Sequence, residues 1–306
     1  MMVISNEIRL GTRGSLLART QSSWVADRIE TDRTIALSII KTEGDDLSIS
    51  LTKPSDPGVF VTALRNALLS GEVDFIVHSY KDLPSTPHPE IEIAAVPLRE
   101  DHRDVLITNN NAQFHDLMPG MVVGSSSPRR VSAIKHLNPK LIAMPIRGNI
   151  DSRIRKIREG EYDAAILAAA GLSRIGLKHE ISQYFDLEMI LPAPAQGALA
   201  VECRKNDTKI FELLQSIDDS HTRITTTAER ALLRGLNAGC DLAIGAYATL
   251  VHELITLTCE IADPQTGQQE RIVVTGPYNQ AEELGLQAAH TFANSDFGRK
   301  VLDRDN

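Results

Sequence analysis

The sequence predicts an α/β protein that carries a smaller α+β domain at its C-terminal end. In the first two-thirds, short apolar strand patterns alternate with stretches of helical periodicity, the signature of sheet and helix layers around a mainly parallel sheet. In the last third the pattern changes to consecutive strands followed by one helix. The composition, 42% hydrophobic and 24% charged over 306 residues, is that of a globular chain long enough for two or three domains.

Taken in order, Glu7-Ile8-Arg9-Leu10 reads as a short strand ending at Gly11-Thr12-Arg13-Gly14-Ser15. A helix follows with Leu17, Trp24, Val25 and Ile29 near helical spacing, and Thr34 to Ile40 is a β-branched strand. Residues 43 to 58 hold Gly, Asp, Ser and Pro without periodicity, so they are expected to form a loop long enough for a lid. Phe60, Leu64, Ala67 and Leu68 mark a helix that stops near Gly71. Val73 to Val77 is then a buried-type strand ending at His78-Ser79-Tyr80-Lys81-Asp82. A second unit begins near Asp101. Val105 to Thr108 and Met121 to Gly124 are its first strands, Pro128 opens a helix, Leu141 to Pro145 is a strand, and a basic helix spans Ile150 to Arg158.

Gly71-Glu72-Val73-Asp74 and Gly160-Glu161-Tyr162-Asp163 both sit between a helix and an apolar strand, so the first two units are read as related designs. Beyond Leu191-Pro192-Ala193-Pro194, Ala198 to Cys203 is a strand and a helix runs through Leu213 and Leu214. Thr222 to Leu236 is helical, with Ala228, Leu232 and Leu236 in register. Ile244 to Leu250, Leu254 to Ile261 and Arg271 to Thr275 read as antiparallel strands, and Glu282 to Ala293 as a helix packed on them.

The formal net charge is −8, and no run approaches the roughly 20 apolar residues of a membrane helix. Met1 to Leu10 lacks a basic segment followed by an apolar one, so no secretory signal is expected. Cys203, Cys240 and Cys259 are odd in number and far apart, which excludes a disulfide framework and suits a reducing cytoplasm. No paired cysteines, HExxH or clustered histidines occur, so no metal is expected. Gly11-Thr12-Arg13-Gly14 lacks the spacing of a nucleotide-binding loop.

The charge is unevenly spread. Between Gly124 and Arg158 stand nine cations and a single acid, Asp151. Aromatic residues are 4% of the chain and none falls in this island, so the stacking platforms of nucleic-acid binders are missing. A small molecule bearing several negative charges is the expected ligand.

Ligands of α/β sheets bind beyond the carboxyl ends of strands. Arg13 and Ser15, then Ser79, Lys81 and Asp82, then Ser125-Ser126-Ser127-Pro128-Arg129-Arg130 all follow strand patterns. Small hydroxyl residues let backbone approach a carboxylate, and guanidinium forks grip it. Each arginine is equally readable as part of a structural salt bridge. Asp82, between Lys81 and Leu83-Pro84, is either a turn or cap residue or a carboxylate that steadies a cationic intermediate or accepts a proton. Cys240, in Ala238-Gly239-Cys240-Asp241, is either a spectator thiol or a nucleophile and attachment point. Cys203 and Cys259 lie in apolar strand patterns and belong to the core. His78, alone, reads as structural.

The ordered set of motifs resembles the porphobilinogen deaminase, or hydroxymethylbilane synthase, family. Its pieces are Arg9-Leu10-Gly11-Thr12-Arg13-Gly14-Ser15, Val77-His78-Ser79-Tyr80-Lys81-Asp82-Leu83-Pro84, Gly124-Ser125-Ser126-Ser127-Pro128-Arg129-Arg130 and Arg147-Gly148-Asn149. Ala170-Gly171-Leu172, Gln196-Gly197-Ala198, Val201-Glu202-Cys203-Arg204, Thr227-Ala228-Glu229-Arg230-Ala231 and Gly239-Cys240 follow in order. The resemblance implies two α/β lobes like those of type II periplasmic binding proteins and a small C-terminal α+β domain. The boundaries it suggests are 1–98 plus 198–216, 102–192 and 220–306. It also implies a dipyrromethane cofactor in thioether linkage to Cys240, onto which four porphobilinogen molecules are added with loss of ammonia, before hydrolysis frees hydroxymethylbilane.

By the same resemblance Asp82 is catalytic. Arg13, Ser79, Lys81, Ser127, Arg129, Arg130, Arg147, Gly148, Asn149, Arg153, Arg174 and Gln196 bind the carboxylates of substrate and cofactor. A cytoplasmic monomer that uses no metal, nucleic acid or membrane is the expected setting. Two departures from the family stand out. The segment Lys53-Pro54-Ser55-Asp56-Pro57-Gly58-Val59-Phe60 lacks a second lysine and two glycines, and Gly-Gln-Gly appears as Ala195-Gln196-Gly197. The alanine is tolerable if that position does not need a positive φ. Two rivals make different predictions: a non-catalytic anion-binding protein has no use for Cys240, and a cysteine acyl transferase needs a histidine partner, for which only His221 and His252 are near in sequence.

Overall fold

The computed structural model describes residues 7–40, 57–239 and 242–303. The chain begins with β1 (Glu7–Thr12), α1 (Leu16–Ala26), β2 (Thr34–Ile39), α2 (Pro57–Leu69), β3 (Phe75–Ser79) and β4 (Ile91–Ala95). It continues through β5 (Asp104–Thr108), β6 (Val122–Gly124), α3 (Pro128–Leu137), β7 (Ile142–Met144), α4 (Ile150–Arg158), β8 (Ala164–Ala168), α5 (Ala169–Arg174) and β9 (Gln183–Tyr184). The remainder is β10 (Leu199–Arg204), α6 (Thr208–Gln215), α7 (Ser220–Gly235), β11 (Ala243–Val251), β12 (Leu254–Ala262), β13 (Gln269–Pro277), α8 (Ala281–Asn294) and α9 (Asp296–Leu302). The loop and lid expected at residues 43–58 lie outside the described residues except for Pro57 and Gly58. Those two already belong to α2, where a proline at the first turn gives up no helical hydrogen bond. No described helix is long and apolar enough to cross a membrane.

Met1–Arg99 with Ala198–Arg223 form one compact unit, and Glu100–Gly197 with Ile224–Asn306 a second. The first holds a five-stranded sheet in the order β2-β1-β3-β10-β4, with β1, β2 and β3 parallel and β10 antiparallel to both of its neighbours. The second holds a sheet in the order β7-β6-β8-β5-β9, again with a single antiparallel insert, β5. The two orders are the same pattern, the pair of type II periplasmic-binding-protein-like lobes that the resemblance implies. The expected sheets were mainly parallel; each is mixed by one strand, because β5 and β10 enter their sheets after the chain has crossed from the other unit.

The related-design reading holds at atomic detail. Asp74 Oδ2 accepts from the Arg9 amide at 2.8 Å at the start of β1, and Asp163 Oδ2 accepts from the Val122 amide at 2.7 Å at the start of β6. In return Asp74 N donates to Arg9 O and Asp163 N to Val122 O. Both aspartates close the same helix-to-strand turn on the neighbouring strand.

Alternation along the strands builds two core layers per sheet. Ile8, Leu10, Phe75 and Val77 pack with Leu199, Val201 and Cys203 on the side of Val25 of α1, and Ile76 packs with Leu64 and Leu68 of α2 on the other. In the second unit Leu106 and Ile166 share a layer with Ile134 of α3, and Val105, Ile107 and Leu167 share one with Ile154 and Ile157 of α4. The antiparallel sheet β11-β12-β13 covers Ala228 and Leu232 of α7 and Leu284, Ala288 and Phe292 of α8. Cys203 and Cys259 are core residues, and burial pushes the Cys203 thiol up to about 12. Sequence periodicity missed β4, α5, β9 and α9, all of two to seven residues, too short for a repeat to register.

Candidate functional site

In the first unit the carboxyl ends of β1 and β3 open into a cleft of about 260 Å³ between α1 and α2. Its walls carry Arg13, Ser15, Gln21, His78, Ser79 and Asp82, with Val61 and Leu64 of α2. Ser15 caps α1, its hydroxyl accepting from Ala18 N at 3.3 Å. Ser79, the last residue of β3, accepts at Oγ from Gln21 Nε2 of α1 at 2.9 Å. A single 3₁₀ turn, Tyr80–Asp82, then carries Lys81, half-buried, and Asp82, exposed. The Tyr80 amide pins this turn to Ala198 O. Asp82 is a turn residue, as one reading had it, but it caps nothing: its carboxylate has no hydrogen bond or ion pair among the described residues. Arg13, Ser79 and Asp82 therefore share one cleft, and Gln21, which no motif singled out, joins them through Ser79.

In the second unit two helices start at strand ends. Ser127 precedes Pro128 at the start of α3, and Asn149 precedes Ile150 at the start of α4; neither side chain caps its helix. Ser126 Oγ donates to Ile146 O at 2.9 Å and joins the two loops. Arg147, Gly148 and Asn149 are exposed. Gly148 has φ +109°, and a Cβ there would lie 2.4 Å from Ser152 Oγ, so the loop admits no side chain at this position. Arg153 reaches back from α4 and donates from Nε to Gly148 O at 2.8 Å.

Arg129 and Arg130, placed on a ligand by the sequence reading, are both buried and both grip Asp104 at the start of β5. Arg129 Nη1 lies 2.6 Å from Asp104 Oδ2 and 2.7 Å from Leu191 O. Arg130 donates to Asp104 Oδ1 from Nε at 3.0 Å and Nη2 at 2.7 Å. Gln196 adds its Nε2 to the same oxygen at 2.9 Å and to His102 O at 2.8 Å. Burial alone would raise the Asp104 carboxyl, but the two guanidiniums outweigh it and hold the group far below the usual range. One carboxylate between two guanidiniums leaves a net positive charge.

Two more arginines are shifted by burial, Arg174 despite the opposing charge of Glu100. Burial, then the charge of Arg130, lowers Arg153. Burial lowers Arg174 to about 10, although it donates to Gly197 O at 2.7 Å. An anion beside them is therefore favoured.

Asp104 lies in no motif, and Glu229 stands within Thr227-Ala228-Glu229-Arg230-Ala231 without a role assigned to it. Glu229 of α7 is fully buried and accepts from Ala195 N at 2.6 Å and Ala248 N at 2.9 Å, tying the Gln196 turn to β11. Ala195 has φ +62°. The tolerance condition attached to this alanine is not met, since its backbone does lie in the left-handed region. Cys240 and Asp241 lie outside the described residues.

The porphobilinogen deaminase dipyromethane cofactor binding domain matches residues 8–212, and the porphobilinogen deaminase C-terminal domain matches residues 223–294. Porphobilinogen deaminase of Nocardia farcinica is 47% identical over 292 residues, covering 92% of this chain and 84% of the relative. That of Corynebacterium efficiens is 43% identical over 286 residues, covering 92% and 95%. Among solved structures, the methionine-binding protein MetQ is 10% identical with a TM-score of 0.46, covering 72% of this chain and 93% of its own. With cofactor-binding and C-terminal domains both matched, the chain belongs to the porphobilinogen deaminase family.

Proposed function

We propose that this chain is a hydroxymethylbilane synthase, which joins four porphobilinogen molecules head to tail with loss of ammonia and then frees the linear tetrapyrrole by hydrolysis. Each substrate carries an acetate and a propionate, so the growing product is a polyanion. The observation that carries the reading is Asp82: an exposed carboxylate with no described partner, on the wall of a cleft that also holds Arg13 and Ser79. Arg13, Ser79 and Lys81 take substrate carboxylates. Asp82 steadies the positive charge that develops on the substrate pyrrole as ammonia leaves, then accepts the α-proton after the carbon–carbon bond forms.

A dipyrromethane bears four carboxylates. The uncapped starts of α3 and α4, the exposed Arg147 and the desolvated Arg153 and Arg174 fit such a group. Gly148 and Asn149 offer backbone donors to it and Ser127 its hydroxyl, Arg129 and Arg130 supply the excess charge, Gln196 fixes Asp104 between them, and Cys240 is the attachment point. When bound, the group supplies a terminal pyrrole carbon as acceptor for the first substrate. The three-domain division at 1–98 plus 198–216, 102–192 and 220–306 then assigns Asp82 with Arg13, the remaining arginines and the anchoring cysteine to separate domains. The acidic total charge and the lack of aromatics in the basic island support a small-molecule enzyme and not a nucleic-acid binder; we read it as a cytoplasmic monomer.

Asp82→Asn tests the proposal. The fold is expected to persist while turnover of porphobilinogen drops at least about 100-fold. Near-normal tetrapyrrole synthesis refutes the role. Intact mass of the native protein is expected to exceed the sequence mass by two pyrrole units and to lose that excess in Cys240→Ser.

A further inference from the structure

Strand alternation puts two polar side chains in a layer that is otherwise apolar. Ile76 of β3 packs against α2, and His78, two residues on, faces the same side. On β10, Val201 and Cys203 point to the other layer, so Glu202 also faces α2. Arg65 of α2 meets it there, donating to Glu202 Oε1 from Nη2 at 2.5 Å and to Oε2 from Nε at 3.1 Å. His78 Nε2 stands 3.4 Å from Glu202 Oε2. That spacing leaves the ring nitrogen, in a side chain only 7% exposed, without a good hydrogen bond. Burial raises the Glu202 carboxyl, but His78 and Arg65 outweigh it and hold the group at about 2.

His78 also lines the cleft that holds Arg13, Ser79 and Asp82, and imidazole is the side chain that exchanges a proton in the physiological range. Glu202 of β10 faces the ring, Arg65 of α2 pairs with Glu202, and Arg13 after β1 and Asp82 after β3 are the charged groups that share its cleft. Arg65 already neutralises Glu202, so a proton on His78 leaves one net positive charge at the cleft wall. A carboxylate arriving from the solvent side balances it.

Resting on the reading of this cleft as the porphobilinogen site, we propose that His78 is a substrate-binding residue that takes up a proton as a substrate carboxylate enters, with Glu202 holding the ring from behind. Linkage makes the coupling reciprocal: protonated His78 favours the substrate, so binding weakens as pH rises through the histidine's titration.

The test is the pH dependence of KM and kcat for porphobilinogen with the native holoenzyme between pH 6 and 8.5. Free carboxylates and amines of the substrate's kind keep their charge over that range. KM is expected to rise at least about fivefold across it. In His78→Gln, KM is expected to be flat within about twofold. In Glu202→Gln, which keeps an acceptor for Arg65, the rise is expected to move to lower pH. A merely structural histidine changes KM by the same factor at every pH, so a native-like slope in His78→Gln overturns the proposal, as does a flat KM in the native enzyme that still turns over porphobilinogen. A native protein that does not consume porphobilinogen overturns both this inference and the proposed function.

Discussion

Arg129 Nη1 and Asp104 Oδ2 lie 2.6 Å apart in a site where Asp104 is wholly buried and Arg129 nearly so. Arg130 shares the same carboxylate, and Arg129 Nε is buried without a hydrogen-bond partner among the described residues. Removing the anion strands two guanidiniums in low dielectric. Asp104→Asn is therefore expected to lose about 3–5 kcal/mol of stability. Urea unfolding checks this, and a loss under 1 kcal/mol speaks against the pairing.

Arg147 provides the contrast. It is exposed, with no hydrogen bond or ion pair among the described residues, at the end of the loop that starts α4. Arg147→Ala is expected to leave the unfolding midpoint within about 0.5 kcal/mol, as surface changes do, while elongation stalls at an intermediate number of pyrroles. Mass spectrometry of trapped species reads the stall; a full ladder with normal release counts against the assignment.

Ala195 is held at φ +62° between Pro194 and Gln196, its amide on Glu229. The left-handed region strains a residue with a Cβ, and glycine removes that strain at some cost in chain entropy. Ala195→Gly is expected to stabilise the protein by roughly 0.5–1 kcal/mol. Gly197→Ala is expected to do the reverse and more, since its φ is +90° and a Cβ would sit 2.4 Å from Glu100 O. A thermal-shift series of the two variants decides it: if Ala195→Gly lowers the midpoint, strain is not what limits this turn.

Acid stability follows from the buried carboxylates. Glu202 is held at about 2 against an ordinary 4.5, and Asp104 is depressed as well. A lowered folded-state pKa contributes stability that is complete above the unfolded value and disappears as pH falls through the folded one. Unfolding free energy is therefore expected to fall from about pH 5 downward, with Glu202 contributing about 3 kcal/mol of the loss. Glu202→Gln is expected to be less stable at pH 7 and to show a shallower acid slope; an unchanged slope excludes Glu202 as its source.

The helix starts at Pro128 and Ile150, the strand that ends at Gly124 and the buried fate of Cys203 and Cys259 were legible in the sequence, because each rests on local periodicity or on punctuation by Pro, Gly and Ser, whereas β3, read over Val73 to Val77, runs from Phe75 to Ser79. The homology of the two turns at Asp74 and Asp163 was legible as well. The role of Asp104 was not. It is 25 residues from Arg129 and marked by no motif, and its pairing depends on β5 being inserted antiparallel beside β8.

The sequence by itself determined the family, the order of elements and the chemical types gathered at the strand ends, since motifs and hydrophobic periods are properties of neighbouring residues. Only the tertiary structure decided which arginines stay exposed and which close on Asp104, that Asp82 stands without a described partner, and that Ala195 is strained. Those outcomes depend on burial and on charges brought together from distant parts of the chain. The desolvation and Coulomb energies that decide them have no counterpart in local spacing.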